Sequence, residues 1–70
     1  MKLNVNGEVK FLSPDPFPPT LANAIAQLGH HPKLVVVEFN GQIMTQSKWK
    51  SQIVKDGDSL EIVTIVGGGS

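Results

Sequence analysis

Few residues in this chain could do chemistry, and most of those that could are better read as structure. His30 and His31 are adjacent, but there is no other histidine and no cysteine to complete a metal site. Their place after a helical segment and before Pro32 marks a solvated helix end. Asp56 and Asp58 form a spaced carboxylate pair, yet they flank Gly57 and so serve a tight turn. No Ser-His-Asp or Cys-His set occurs, nor a glycine loop opening a helix to cradle phosphate. What remains is the end of the chain, "IVTIVGGGS", where β-branched residues give way to Gly67, Gly68, Gly69 and Ser70. A carboxylate on a run of residues without Cβ can thread a narrow channel and adopt whatever backbone a partner imposes. From Val66 onward the fully extended chain spans about 17 Å, at roughly 3.4 Å per residue. A length of that size suffices to enter a buried site while the body of the protein stays outside. The competing reading of GGGS is a passive linker.

The body that positions this end is small. Seventy residues allow one domain with a modest core, which argues against a two-lobed enzyme. With 40% hydrophobic and 17% charged residues the chain can collapse rather than remain disordered. Six lysines balance six acids and arginine is absent, so nucleic acid is not an expected partner. The apolar run Leu34 to Val37 is far too short to span a bilayer, and no signal segment opens the chain. A membrane is therefore not expected as a partner, and a cytoplasmic location is. Without cysteine, any sulfur chemistry must use something other than a thiol of this chain.

"KLNVNGEVKF" alternates on both sides of Asn6-Gly7, a two-residue hairpin turn, and predicts Leu3, Val5, Val9 and Phe11 on one face. "SPDPFPP" holds four of the five prolines and reads as a stiff connector. "TLANAIAQLG" predicts a helix with Leu21, Ala24, Ile25 and Leu28 on one stripe, Thr20 as N-cap and Gly29 as terminator. "LVVVEF" is a strand that Asn40-Gly41 turns towards "QIMT". An irregular segment with a helical turn near Trp49 leads to the last strand, "SLEIVTIV". Trp49 is read as a lid over the sheet edge ahead of a partner hot spot. The order predicts an α+β fold, a ubiquitin-like β-grasp: one helix on one face of a mixed four- or five-stranded sheet, the last strand parallel to the first. Residues 1–66 form the domain and 67–70 a flexible tail.

If Leu60 and Ile62 point inward, Glu61, Val63 and Ile65 point outward. Glu38 places Leu34 and Val36 on its own outer face. Val63, Ile65, Leu34 and Val36 are thus an expected docking patch beside the tail.

"KDGDSLEIVTIVGGGS" resembles the end of the ThiS family of sulfur carriers. The likeness extends to "LNVNGE", "TLANAIAQLG", "VVVEFNGQI" and "SKW" and covers nearly the whole chain outside the proline-rich connector. It implies a carrier rather than an enzyme, with no bound cofactor. An E1-like adenylating enzyme would consume ATP to activate the C-terminal glycine, a persulfide donor would supply sulfur, and the thiocarboxylate would feed thiazole synthase in thiamine biosynthesis. Gly67, Gly68 and Gly69 are the residues so implied, with Gly69 the acyl carrier once Ser70 is removed; family members end in glycine, and Ser70 departs from that. Thr45-Gln46 stands where many members have Pro-Arg; if that arginine grips a partner in those members, this chain has lost the contact. The alternatives are a MoaD-like carrier serving molybdopterin, a ubiquitin-like modifier, or a plain interaction domain.

Overall fold

The computed structural model describes residues 1–65; residues 66–70 lie outside the description, and with them the expected domain boundary. The chain runs β1 (Lys2–Val5), β2 (Glu8–Phe11), α1 (Leu21–Gln27), a 3-10 turn (Pro32–Leu34), β3 (Val35–Phe39), β4 (Gln42–Met44), a second 3-10 turn (Gln46–Lys48) and β5 (Ser59–Thr64). The five strands form one sheet in the order β2-β1-β5-β3-β4. β5 fills the slot between β1 and β3, parallel to the first and antiparallel to the second. This is the β-grasp layout the element order predicts.

Both hairpins turn where the sequence puts Asn-Gly. Asn6 and Gly7 take φ of 52° and 83°, and Asn40 and Gly41 take 49° and 88°, the two successive positive values of a type I′ turn. Helix α1 begins at Thr20, whose Oγ1 accepts from the Asn23 N–H at 3.2 Å. It stops before Gly29, at φ 83°. The buried stripe is Leu21, Ala24 and Ile25, with Leu28 half-buried at its end. These pack on Leu3, Val5, Val35, Val37, Phe39, Leu60 and Ile62 from the sheet, and Trp49 and Val54 close the margin. Each large side chain so buried contributes about 1.5–3 kcal/mol. The connector is tied down by Gln27, whose amide donates to the Ser13 carbonyl at 2.8 Å and accepts from the Ser13 N–H at 2.9 Å.

The structure corrects the reading of the first hairpin. Leu3 and Val5 are buried, but Val9 is 52% and Phe11 77% exposed. Val5 stands opposite Glu8, Leu3 opposite Lys10, Asn4 opposite Val9 and Lys2 opposite Phe11. Facing residues on paired strands share a face. A two-residue turn therefore pairs odd positions with even ones, and Val9 and Phe11 fall on the open face away from α1.

Candidate functional site

Two asparagines seat β5, the last strand described. Asn6 Oδ1 accepts from the Ile62 N–H at 2.7 Å while its amide donates to the Ile62 carbonyl at 3.2 Å. Asn40 does the same work at the start of β5, its Oδ1 accepting from the Ser59 N–H at 2.8 Å. Each Asn-Gly turn thus makes a hairpin and also clips the final strand, a second use of the asparagine that local sequence does not disclose. The last described residue, Ile65, donates its N–H to the Leu34 carbonyl at 2.6 Å. The chain is thereby held beside β3 up to the last described residue. Gly67, Gly68, Gly69 and Ser70 lie outside the described residues.

The open face of the sheet carries the predicted patch. Val36 and Val63 are opposite each other across β3 and β5. Val63 is 62% exposed and Val36 37%, and Leu34 and Ile65 are exposed next to them. Ile43 also belongs to this face, because it stands opposite Glu38, and it is exposed. Sequence reasoning misses Ile43, although the two-residue turn at Asn40-Gly41 implies it by the same odd-with-even pairing that moves Val9 and Phe11. Glu38 and Glu61 face each other directly in the row below the valines.

Asp56, Asp58, His31 and Trp49 each make a structural hydrogen bond. Asp58 is buried and its carboxylate accepts from the Lys55 N–H at 2.8 Å and the Asn40 amide at 3.2 Å. Asp56 Oδ1 accepts from the Lys2 N–H at 2.8 Å. The acids flanking Gly57 therefore anchor a turn. His31 Nδ1 accepts from the Lys33 N–H at 3.2 Å and caps the 3-10 turn. Among the described residues no three His, Cys, Asp or Glu side chains gather as a metal site, and no helix is long and apolar enough to cross a membrane. Trp49 is 4% exposed and its Nε1 donates to the Met44 carbonyl at 2.9 Å. It is a lid over the β4 edge. Gln46, with Trp49, Pro32 and Met44, lines a shallow groove at that edge.

Comparison with known proteins agrees with this geometry. The ThiS family model matches residues 3–69. A thiazole synthase of Paramagnetospirillum magneticum is 40% identical over 70 residues, which is all of this chain and 21% of that protein. The chain thus spans about a fifth of that relative's length. The crystal structure of the thiamine biosynthesis protein ThiS from Geobacter metallireducens superposes with a TM-score of 0.77 at 30% identity, covering 99% of this chain and all of that one. The solution structure of a Geobacter metallireducens thiamine biosynthesis protein gives a TM-score of 0.77 at 28% identity, covering all of this chain and 90% of that one. With the β-grasp fold, the seated last strand and a family match over nearly its whole length, the chain belongs to the ThiS family.

Proposed function

We propose that this chain is a sulfur carrier of thiamine biosynthesis, a substrate passed between enzymes and not itself a catalyst. A free carboxylate is a poor electrophile. An E1-like adenylating enzyme joins the Gly69 carboxylate to the AMP moiety of ATP, releasing pyrophosphate, and the mixed anhydride gives sulfur a leaving group to displace. The terminal sulfur of a persulfide donor attacks the carbonyl, AMP departs and an acyl disulfide forms; a second thiol then attacks the donor-side sulfur, leaves as a disulfide with it and releases the thiocarboxylate that a thiazole synthase consumes. Gly67 and Gly68 supply access, since each lacks the Cβ that a narrow channel would exclude. Removal of Ser70 is the step that makes Gly69 terminal.

Ordering this tail costs on the order of 1–2 kcal/mol per residue, and more for glycine. Contacts elsewhere must offset that cost. The observation that supports the reading most is the exposed apolar patch of Val36, Val63, Leu34 and Ile65 at the root of the tail, extended by Ile43. Among the described residues nothing covers it, and a docked enzyme would bury it. The thiazole synthase relative, which carries a matching segment within a longer chain, is consistent with work alongside that enzyme.

The test is direct. A version ending at Gly69, mixed with its cognate adenylating enzyme, ATP, a persulfide donor and a thiol reductant, releases pyrophosphate and gains the mass of one oxygen exchanged for sulfur. No pyrophosphate and no sulfur uptake rejects the proposal.

A further inference from the structure

Strand β2 is an outer edge of the sheet, with β1 on one side and no strand on the other among the described residues. All four of its residues are exposed, so no described segment covers that edge. The register against β1 decides which main-chain groups face outward. Leu12 exchanges hydrogen bonds with Met1, its N–H donating to the Met1 carbonyl at 2.8 Å and its carbonyl accepting from the Met1 ammonium at 2.9 Å. Such pairs alternate along an antiparallel ladder, so Glu8 and Lys10 also bond inward, while the N–H and C=O of Val9 and Phe11 point away from the sheet. Unpaired edge groups of this kind are a template for another strand, and proteins often guard them with charge. Here the guard is self-complementary. Glu8 and Lys10 share one face of β2 with opposite signs, Lys10 Nζ lying 3.4 Å from Glu8 Oε1.

We propose that two copies of this chain associate by pairing their β2 strands antiparallel about a two-fold axis at Val9, joining their sheets edge to edge. Val9 of one copy faces Val9 of the other, and each Glu8 faces the other copy's Lys10. Two conditions select this register. Outward main-chain groups must meet outward groups, so Val9 and Phe11 can oppose only residues of their own parity. Facing side chains must not repel. Sliding one such step in one direction sets Lys10 against Lys10, and one step in the other sets Glu8 against Glu8, both destabilising across a strand pair. Only the Val9-centred register puts opposite charges face to face on both sides of the axis. Phe11 then falls opposite the other copy's Gly7, where a Cβ would meet nothing within 4 Å, so the ring has room to cover bare backbone. Exposed charge pairs add little affinity and serve here to choose the register. The backbone bonds and the Val9 and Phe11 contacts hold the pair. A four-residue strand is small beside the roughly 800 Å² per partner of a standard stable interface, so the dimer is weak and reversible. Because β1 stands between β2 and β5, the face on β3 and β5 proposed to dock an enzyme stays open.

Sedimentation equilibrium and amide NMR of the full-length chain, from dilute to millimolar concentration at low salt, read the association. The expected result is a monomer when dilute and a dimer fraction that grows with concentration, with the shift changes concentrated at residues 7–11. Val9→Pro removes one outward N–H and no bond to β1, so it should abolish the dimer and leave the chain folded. Glu8→Lys and Lys10→Glu each set like charges across the axis and should weaken association about tenfold, a gap that narrows as salt rises. Mixed together, these two variants complement each other at both positions, and the mixture should recover the parent's affinity. Neither variant regains its own Glu8–Lys10 pair on mixing, so recovery reports the contact between copies and not the folding of either. A parent that stays monomeric at millimolar concentration overturns the proposal. So does a dimer that survives Val9→Pro, because it uses another surface. A dimer indifferent to both charge variants and to their mixture pairs in some other register, and the proposal is likewise overturned. Should Val9→Pro unfold, the mixing result decides alone.

Discussion

On the helix side of the sheet, Leu3, Val5, Val37, Leu60 and Ile62 bury one another under α1. On the other side Val36, Val63 and Ile43 stand in solvent around two facing glutamates. Both sides come from the same strands and often from adjacent residues, since Leu60 and Ile62 alternate with Glu61 and Val63 along β5. The difference teaches that apolar character alone does not say which side is core. The covered side is apolar throughout its centre because burying a carboxylate there without a partner would be prohibitive. The open side mixes valine with glutamate, a composition suited to a surface that is wet when free and covered when docked.

If that contrast is sound, Leu60→Ala should lower stability by about 2–5 kcal/mol, the range for a deleted core side chain, seen as a large fall in Tm. Val63→Ser together with Ile65→Ser should leave Tm within a few degrees but weaken binding to the adenylating enzyme about tenfold or more, through loss of apolar area of about 25 cal/mol per Å². A parallel collapse in Tm would show these two residues to be core. Gly7→Ala should destabilise by about 1 kcal/mol in denaturant titration, because φ of 83° disfavours any Cβ while no neighbouring atom crowds the position. The smallest effect belongs to Phe11→Ser. It should change unfolding free energy by about 0.5 kcal/mol or less, as for other exposed sites. A loss comparable to that of Leu60→Ala would restore Phe11 to the core and overturn the register.

Much of the fold is legible in the chain itself. Thr20 and Gly29 bound the helix, and the two Asn-Gly pairs set the hairpins. Leu60 and Ile62 are separable from Val63 and Ile65 by alternation alone, and the exposures agree. The first hairpin misleads because alternation, carried straight through a two-residue turn, does not keep its parity. That error puts Val9 and Phe11 inside, and the same omission at the second hairpin hides Ile43. The hydrogen bonds from Asn6 to Ile62 and from Asn40 to Ser59 have no local signal, since each joins a turn to a strand far along the chain.

Backbone preferences and residue period act over a few neighbours, so the turns, the helix limits and the inward residues of β5 are determined by sequence alone. The meeting of Glu38 with Glu61, and the valine pair beside it, is decided by how β5 registers against β3 across the sheet. That register is an energy minimum of the whole core, in which Val37, Phe39, Leu60 and Ile62 must all be buried at once. No short stretch of chain contains that condition.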